Sequence, residues 1–394
     1  MVPTAVPNPT GRVNFMKKLG LSIAALLAGT TVASASAQAS TLFMGSYPDR
    51  MLIVDEASGK VTDTLTLASG LPTSMRISND RKKIYVTTIT TSGIEVIDTA
   101  TKKVVNSFSL NTPTTRYRFN GGVPDPSGRY FYTMLTKFEK LNDRYLVSPQ
   151  QFAVIDLQKK AVVRTSEVPK EDDSNPNAGW RTNYMMSEDG KTLFVIRDKV
   201  LVLDTADLKV KERIEVSRPE ATGIEGVTFG GGVEALRNPH EYVSLFNATD
   251  PYIHNKIFGV GRFNLATKAF DFRPIGPAPY GMAGLQVSPD LKQGWTVVTN
   301  GSVGNKRCEF WHLDLTTNQV KNKAEFPCRS RFQFGMSGDG TKLYIYGASY
   351  DIEIYDAQTL AHEKTVDLGA DSTGAGDDNH PVTGGTHLGV ELAR

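Results

Sequence analysis

Apolar and polar positions alternate from about residue 41 to the end of the chain, interrupted by short polar turns. A period of two is the signature of half-buried strands, not of helices. Within it one phrase recurs seven times: an apolar run, then Asp (once Asn), a few polar residues, and a second alternating run. Asp55, Asp98, Asp156, Asp204, Asn264, Asp314 and Asp356 mark the copies, spaced 43, 58, 48, 60, 50 and 42 residues apart. Spacings near 50 predict a repeat architecture, in which no unit buries its apolar face alone.

Each Asp or Asn can accept a hydrogen bond from its own backbone two residues on, which starts a tight turn. The phrase therefore reads as a hairpin. A second hairpin signal precedes most copies, at Ser78-Asn79-Asp80, Asp125-Pro126-Ser127-Gly128, Ser187-Glu188-Asp189-Gly190, Ser288-Pro289-Asp290 and Ser337-Gly338-Asp339-Gly340. Two hairpins per unit give four strands, which is a propeller blade. The first unit opens at Thr41 on what is already a second strand, and Thr386–Leu392 supplies an unassigned strand at the other end. The expected fold is all-β: a seven-bladed propeller with four-stranded antiparallel blades, its ring closed by the C-terminal strand in the first blade.

The N-terminus reads as a targeting segment. Lys17-Lys18 precede the apolar stretch Leu19–Val32, and small residues at Ala33–Ala39 offer cleavage after Ala37 or Ala39. The apolar stretch is short and rich in small residues, which disfavours a membrane span. Residues 1–15 read as an extended n-region or as lying upstream of the natural initiator, Met16. The domain division is a signal peptide at 1–37 and a single propeller at 38–394, about 51 residues per blade. Loss of Arg12, Lys17 and Lys18 takes the basic residues from 44 to 41 against 42 acidic ones, which leaves no basic excess of the kind that binds nucleic acid. Export places the chain in the periplasm or outside the cell. In an oxidising compartment Cys308 and Cys328, which flank the Asp314 hairpin, are expected to form a disulfide rather than two free thiols.

The turns that carry the repeat are short and regular, so they read as structural. The opposite face carries the loops from second to third strand and the links between blades, which vary in length; binding residues concentrate on such loops. The long stretches are 136–151, 170–182, 217–232, 247–256 and 369–386. In or near the connections of this face lie Arg116, Arg118, Trp180, Arg181, His254, Tyr280 and Arg331, and arginine with aromatics favours a protein interface or an anionic ligand. Arg118, Arg181, Tyr280 and Arg331 are expected just before innermost strands, at the channel mouth. His380 and His387 share the loop face without a metal-ligand spacing, and Asp371, Asp377 and Asp378 do not match a calcium loop. There is no nucleophile elbow, phosphate loop, dinucleotide fingerprint or C-x-x-C-H haem attachment, so no catalytic residue, metal or cofactor is assigned to this chain.

The phrases Val96-Ile97-Asp98-Thr99-Ala100-Thr101-Lys102-Lys103-Val104-Val105 and Ser187 to Val195 resemble the YVTN-type propeller group. A narrower resemblance lies in Phe258–Thr267 with Pro274-Ile275, and in the stretch Phe332–Leu368, notably Met336–Gly340, Tyr346-Gly347-Ala348, Ile354-Tyr355-Asp356-Ala357-Gln358-Thr359-Leu360 and Val366-Asp367-Leu368. These resemble the beta subunit of quinohemoprotein amine dehydrogenase. That family implies a periplasmic complex, in which a dihaem cytochrome c subunit and a small subunit bearing cysteine tryptophylquinone do the redox chemistry. The propeller docks them and walls the substrate cavity. Two other readings stay open. A stand-alone, lactonase-like propeller hydrolase would need a metal at the channel mouth, for which Glu225, Asn183 and Asn255 are the candidates. A plain ligand- or protein-binding module fits as well.

Overall fold

All seven Asp or Asn residues close the same turn. The Asp98 carboxylate accepts the Thr101 N–H at 2.8 Å, Asp156 accepts Gln158 and Lys159 at 2.9 Å, and Asp314 accepts Thr316 at 2.8 Å. The fourth residue after each of them is left-handed: Gly59, Lys102, Lys160, Leu208, Lys268, Asn318 and Leu360, with φ between 55° and 63°. Only one of these is glycine, so the turn imposes a conformation that a side chain opposes by roughly 1 kcal/mol. The carboxyls of Asp55, Asp98, Asp156, Asp314 and Asp356 titrate below the ordinary range as a result; Asp314 falls to about 2, held by the Thr316 hydroxyl and by the Thr316 and Thr317 amides.

The computed structural model describes residues 41–119, 121–173, 182–216, 225–230, 238–249, 252, 255–301, 304–329, 331–347, 349–372 and 389–392. These form strands and connections, with no helix. Blade 2 shows the plan: Pro72–Ile77 innermost, then Lys83–Thr88, Gly93–Asp98 and, outermost, Lys103–Ser109, each antiparallel to the next. Blade 4 (Asn183–Glu215), blade 5 (Glu225–Pro277) and blade 7 (Gln333–Asp367) repeat it, as does blade 6 (Gly281–Phe326) with its innermost strand in two pieces, Gly281–Met282 and Gln286–Val287. Innermost strands are buried and outermost ones largely exposed, as Gln333–Met336 and Lys60–Thr66 illustrate.

Blade 1 is assembled from both ends of the propeller. Gly389–Leu392 pairs with Thr41–Ser46, Leu392 facing Thr41 and Gly389 facing Met44. Arg50–Asp55 and Lys60–Thr66 complete the sheet. The expected closing strand is therefore present over Gly389–Leu392; residues 386–388 lie outside the described ones, as does the whole leader.

Blade 3 departs from the plan. Its innermost strand is split into Thr115–Phe119 and Val123–Pro124, both paired to Tyr130–Lys140. Gly122 sits at the break with φ 151°, where a Cβ would come within 2.3 Å of the Phe131 ring and 2.5 Å of the Tyr132 carbonyl. The stretch 136–151, expected to be a long loop, is instead a hairpin extension: Phe138, Glu139 and Lys140 face Val147, Leu146 and Tyr145.

Apolar side chains on the two faces of each blade meet those of both neighbours. The contact between blades 7 and 1 closes the circle, with Leu42, Met44, Leu52 and Val54 packed on Tyr344, Tyr346, Ile352 and Ile354. Equivalent clusters fill the other six joints. Polar contacts also cross the joints, and four of them share one kind of acceptor, the carbonyl of the residue after the repeat Asp. Asn106 Nδ2 donates to Leu157 O at 2.8 Å, Arg164 Nη1 to Thr205 O at 2.7 Å, Trp295 Nε1 to Ala357 O at 2.8 Å, and Lys364 Nζ to Glu56 O. In these four latches the donor belongs to the preceding blade.

Cys308 and Cys328 are bonded, as expected, tying the third strand of blade 6 to the chain just past its fourth. A loop of 20 residues closed in this way stabilises the fold by about 3 kcal/mol through the unfolded chain.

His312, 3 % exposed, stacks on Trp295 at 4.6 Å and donates from Nε2 to Gln293 Oε1 at 2.7 Å. Burial, reinforced by Lys321, pushes its pKa down to about 4. The native ring thus stays neutral while the unfolded one takes up a proton below its ordinary value near 6.5. Stability from this site is complete above pH 6.5 and declines as the pH falls towards 4. By linkage the loss between pH 7 and 4.5 is about 2.5 kcal/mol. Urea denaturation at both pH values should show a smaller loss, by that amount, in His312→Phe, which keeps the stack but cannot titrate. Equal losses in the two proteins would refute the assignment.

Candidate partner-binding face

Sequential antiparallel strands place the first-to-second and third-to-fourth turns at one end of each blade. The second-to-third loops and the blade-to-blade links fall at the other. The Ser-Asp and Asp-centred turns all belong to the first end, and their side chains are spent within the turn: Asp189 accepts the Lys191 N–H at 3.1 Å and Ser187 Oγ accepts the Thr192 N–H at 2.9 Å. The second end differs in kind.

Eleven large apolar or aromatic residues are exposed among the described ones, between 38 % and 78 %. Nine of them lie on the loop face. Tyr47, Ile89, Tyr252 and Tyr350 occupy second-to-third loops of blades 1, 2, 5 and 7, and Tyr280 sits in the link into blade 6. Leu141, Tyr145, Leu146 and Val147 belong to the blade 3 extension. The other two, Val105 and Val163, are on outermost strands. Exposed apolar groups scattered singly need no explanation, but their gathering on one face marks an interaction surface.

The bases of these loops are pinned. Fully buried Glu95 accepts the Ser69 N–H and hydroxyl, both at 2.7 Å, fixing the link from blade 1 to blade 2. Buried Asp172 is held by Arg213 at 2.8 Å and Lys199 at 3.3 Å, fixing the link from blade 3. Beside the disulfide, Arg329 grips Asp351 and Glu353 at 2.7 Å each. Burial opposes its charge, yet the bonds and charges of Glu353 and Asp351 raise its pKa above the usual guanidinium value. Ser46 Oγ and the Tyr47 N–H donate to Asp371 O at 2.7 and 3.0 Å, tying the Tyr47 loop to the link after blade 7. The face is thus a set of exposed side chains on braced loops.

The sequence-derived residues fall as follows. Tyr280 and Arg331 are exposed on links that lead into the innermost strands of blades 6 and 7. Arg116 and Arg118 are exposed but lie within the strand Thr115–Phe119, not ahead of it, because the innermost strand of blade 3 begins earlier than the turn signals implied. Trp180, Arg181, His254, His380 and His387 lie outside the described residues. Asn183 opens the innermost strand of blade 4, Glu225 that of blade 5, and Asn255 is exposed in the blade 5 loop. Among the described residues no three His, Cys, Asp or Glu side chains converge as a metal site would require. Tyr47, Ile89, Tyr350 and the Tyr145–Val147 strand were not singled out from the sequence; an apolar residue inside a polar connection was the signal available.

This chain is a seven-bladed β-propeller. Among solved structures it is similar to a functionally unknown protein from Desulfotomaculum acetoxidans DSM 771, with a TM-score of 0.52 and 12 % identity over 87 % of this chain and 99 % of that one. Kuenenia stuttgartiensis hydrazine synthase matches at TM-score 0.44 and 16 % identity, over 73 % of this chain and 76 % of the other. The dihydro-heme d1 dehydrogenase NirN in complex with DHE matches at 0.46 and 13 %, over 86 % and 74 %. At such identities the likeness is one of fold. No protein-family model and no curated protein matches the chain.

Proposed function

We propose that this chain is an exported, non-catalytic propeller subunit that docks redox proteins on its loop face, in the manner of the beta subunit of a quinohemoprotein amine dehydrogenase. The observation that carries the reading is the gathering of exposed aromatic and apolar residues on one face while the other is closed by self-satisfied turns. Interfaces are enriched in Tyr and other aromatics, and braced loops bind with little ordering cost. The resemblance of Phe258–Thr267 and Tyr346–Leu368 to that beta subunit supplies the class of partner. On this reading the chain holds no cofactor; a dihaem cytochrome c and a small subunit with cysteine tryptophylquinone carry the redox centres, and the complex is periplasmic.

Purification of the tagged chain from its native host tests this. Haem absorbance should co-elute with it, and Tyr280→Ser with Tyr350→Ser should reduce that absorbance at least tenfold per mole of propeller. Elution of the chain alone, without haem, would sink the reading.

A further inference from the structure

The blade 3 extension has two unlike faces. Leu135 is the last residue of its strand to face the third strand proper, at Gln151. Beyond it, residues 136–140 are flanked by Thr115–Phe119 on one side and Tyr145–Val147 on the other, a three-stranded arm. Residues directly opposite, and residues two apart, share a face. Tyr117, Phe119 and Leu135 therefore point one way, into the joint with blade 2, where Phe119 and Leu135 are buried. The reverse face holds Arg116, Phe138 and Val147 in one cross-strand row, with Arg118, Lys140 and Tyr145 beside it.

That reverse face is exposed and cationic around an apolar centre. Val147 and Tyr145 are 59 % and 64 % exposed, and the Tyr145–Val147 strand has no neighbour on its outer side, since the fourth strand ends at Glu167 opposite Gln151. The acids of the arm are already engaged: Glu139 by Lys137 at 3.1 Å and Asp143 by Arg144 at 3.0 Å. Arg116 and Lys140 make no ion pair among the described residues.

We infer that this arm is a docking site for an acidic protein segment with an apolar centre, laid along the Arg116–Phe138–Val147 face. The inference rests on the docking function proposed above and assigns that function its charge. Arg116 and Lys140 attract and orient a partner of opposite sign, while Phe138, Val147 and Tyr145 provide the area that holds it.

Fluorescence anisotropy with two labelled peptides tests it, using the full chain without its leader. One peptide is Glu-Asp-Leu-Tyr-Leu-Asp-Glu; the other has Lys at each acidic position. The acidic peptide should bind at least tenfold tighter than the basic one, and more weakly as salt is raised. Arg116→Glu with Lys140→Glu should abolish at least tenfold of that affinity. Lys60→Glu with Lys103→Glu, the same change in net charge at exposed sites on outermost strands, should leave it within twofold. Failure of the acidic peptide to bind preferentially, or equal loss in both double variants, would overturn the inference. Either failure leaves the haem co-elution result standing, so the two readings fall separately.

Discussion

Truncation after Leu388 opens the ring and leaves a chain that aggregates. The deleted strand faces Thr41, Leu42, Phe43 and Met44, so its loss bares one edge of a strand whose side chains are all buried. An exposed, apolar edge is a template for pairing with other chains. At about 1 kcal/mol per net backbone hydrogen bond, the pairing alone is worth several kcal/mol, a large share of a typical folding free energy of 5–15 kcal/mol. The melting temperature should fall by more than ten degrees, and size-exclusion chromatography should show oligomers. A synthetic peptide covering 386–394, added in excess, should restore both. A truncated chain that stays monomeric with an unchanged melting temperature would show that ring closure does not depend on this strand.

Trp295→Ala is the point substitution expected to cost most. The side chain is fully buried between blades 6 and 7, stacked on His312, and its indole N–H donates to Ala357 O. Truncation of a buried aromatic to alanine costs about 3–5 kcal/mol, and the orphaned carbonyl adds roughly 1 more. Trp295→Phe retains most of the volume but not the donor and should lose roughly 1–2 kcal/mol. Urea midpoints of the two variants test the ordering; equal effects would mean that the latch, not the packing, dominates this joint.

The blade count was legible in the sequence because the turns are local. A carboxylate that binds amides two and three residues on needs no distant partner, so seven copies of Asp55 or its equivalents announce seven hairpins. The missing first strand and its C-terminal replacement followed from counting, and the pairing of Cys308 with Cys328 from their places on adjoining strands. The arm was not legible. Phe138, Tyr145 and Val147 alternate with Lys137, Glu139 and Leu146 over too few residues to separate a strand from a loop, and Arg116 gains its meaning only when Phe138 and Val147 line up beside it. The latches were hidden for a different reason. Their donors are Asn106, Arg164, Trp295 and Lys364, which share no residue type, and the acceptor belongs to the main chain.

That last point bears on how such a protein can change over time. The residues that offer the latch carbonyls are Glu56, Leu157, Thr205 and Ala357. A main-chain oxygen persists through any substitution at its own position, so half of each of these four latches is immune to mutation and the other half needs only some donor of adequate reach. Blades held in this way tolerate drift one side at a time, without paired changes.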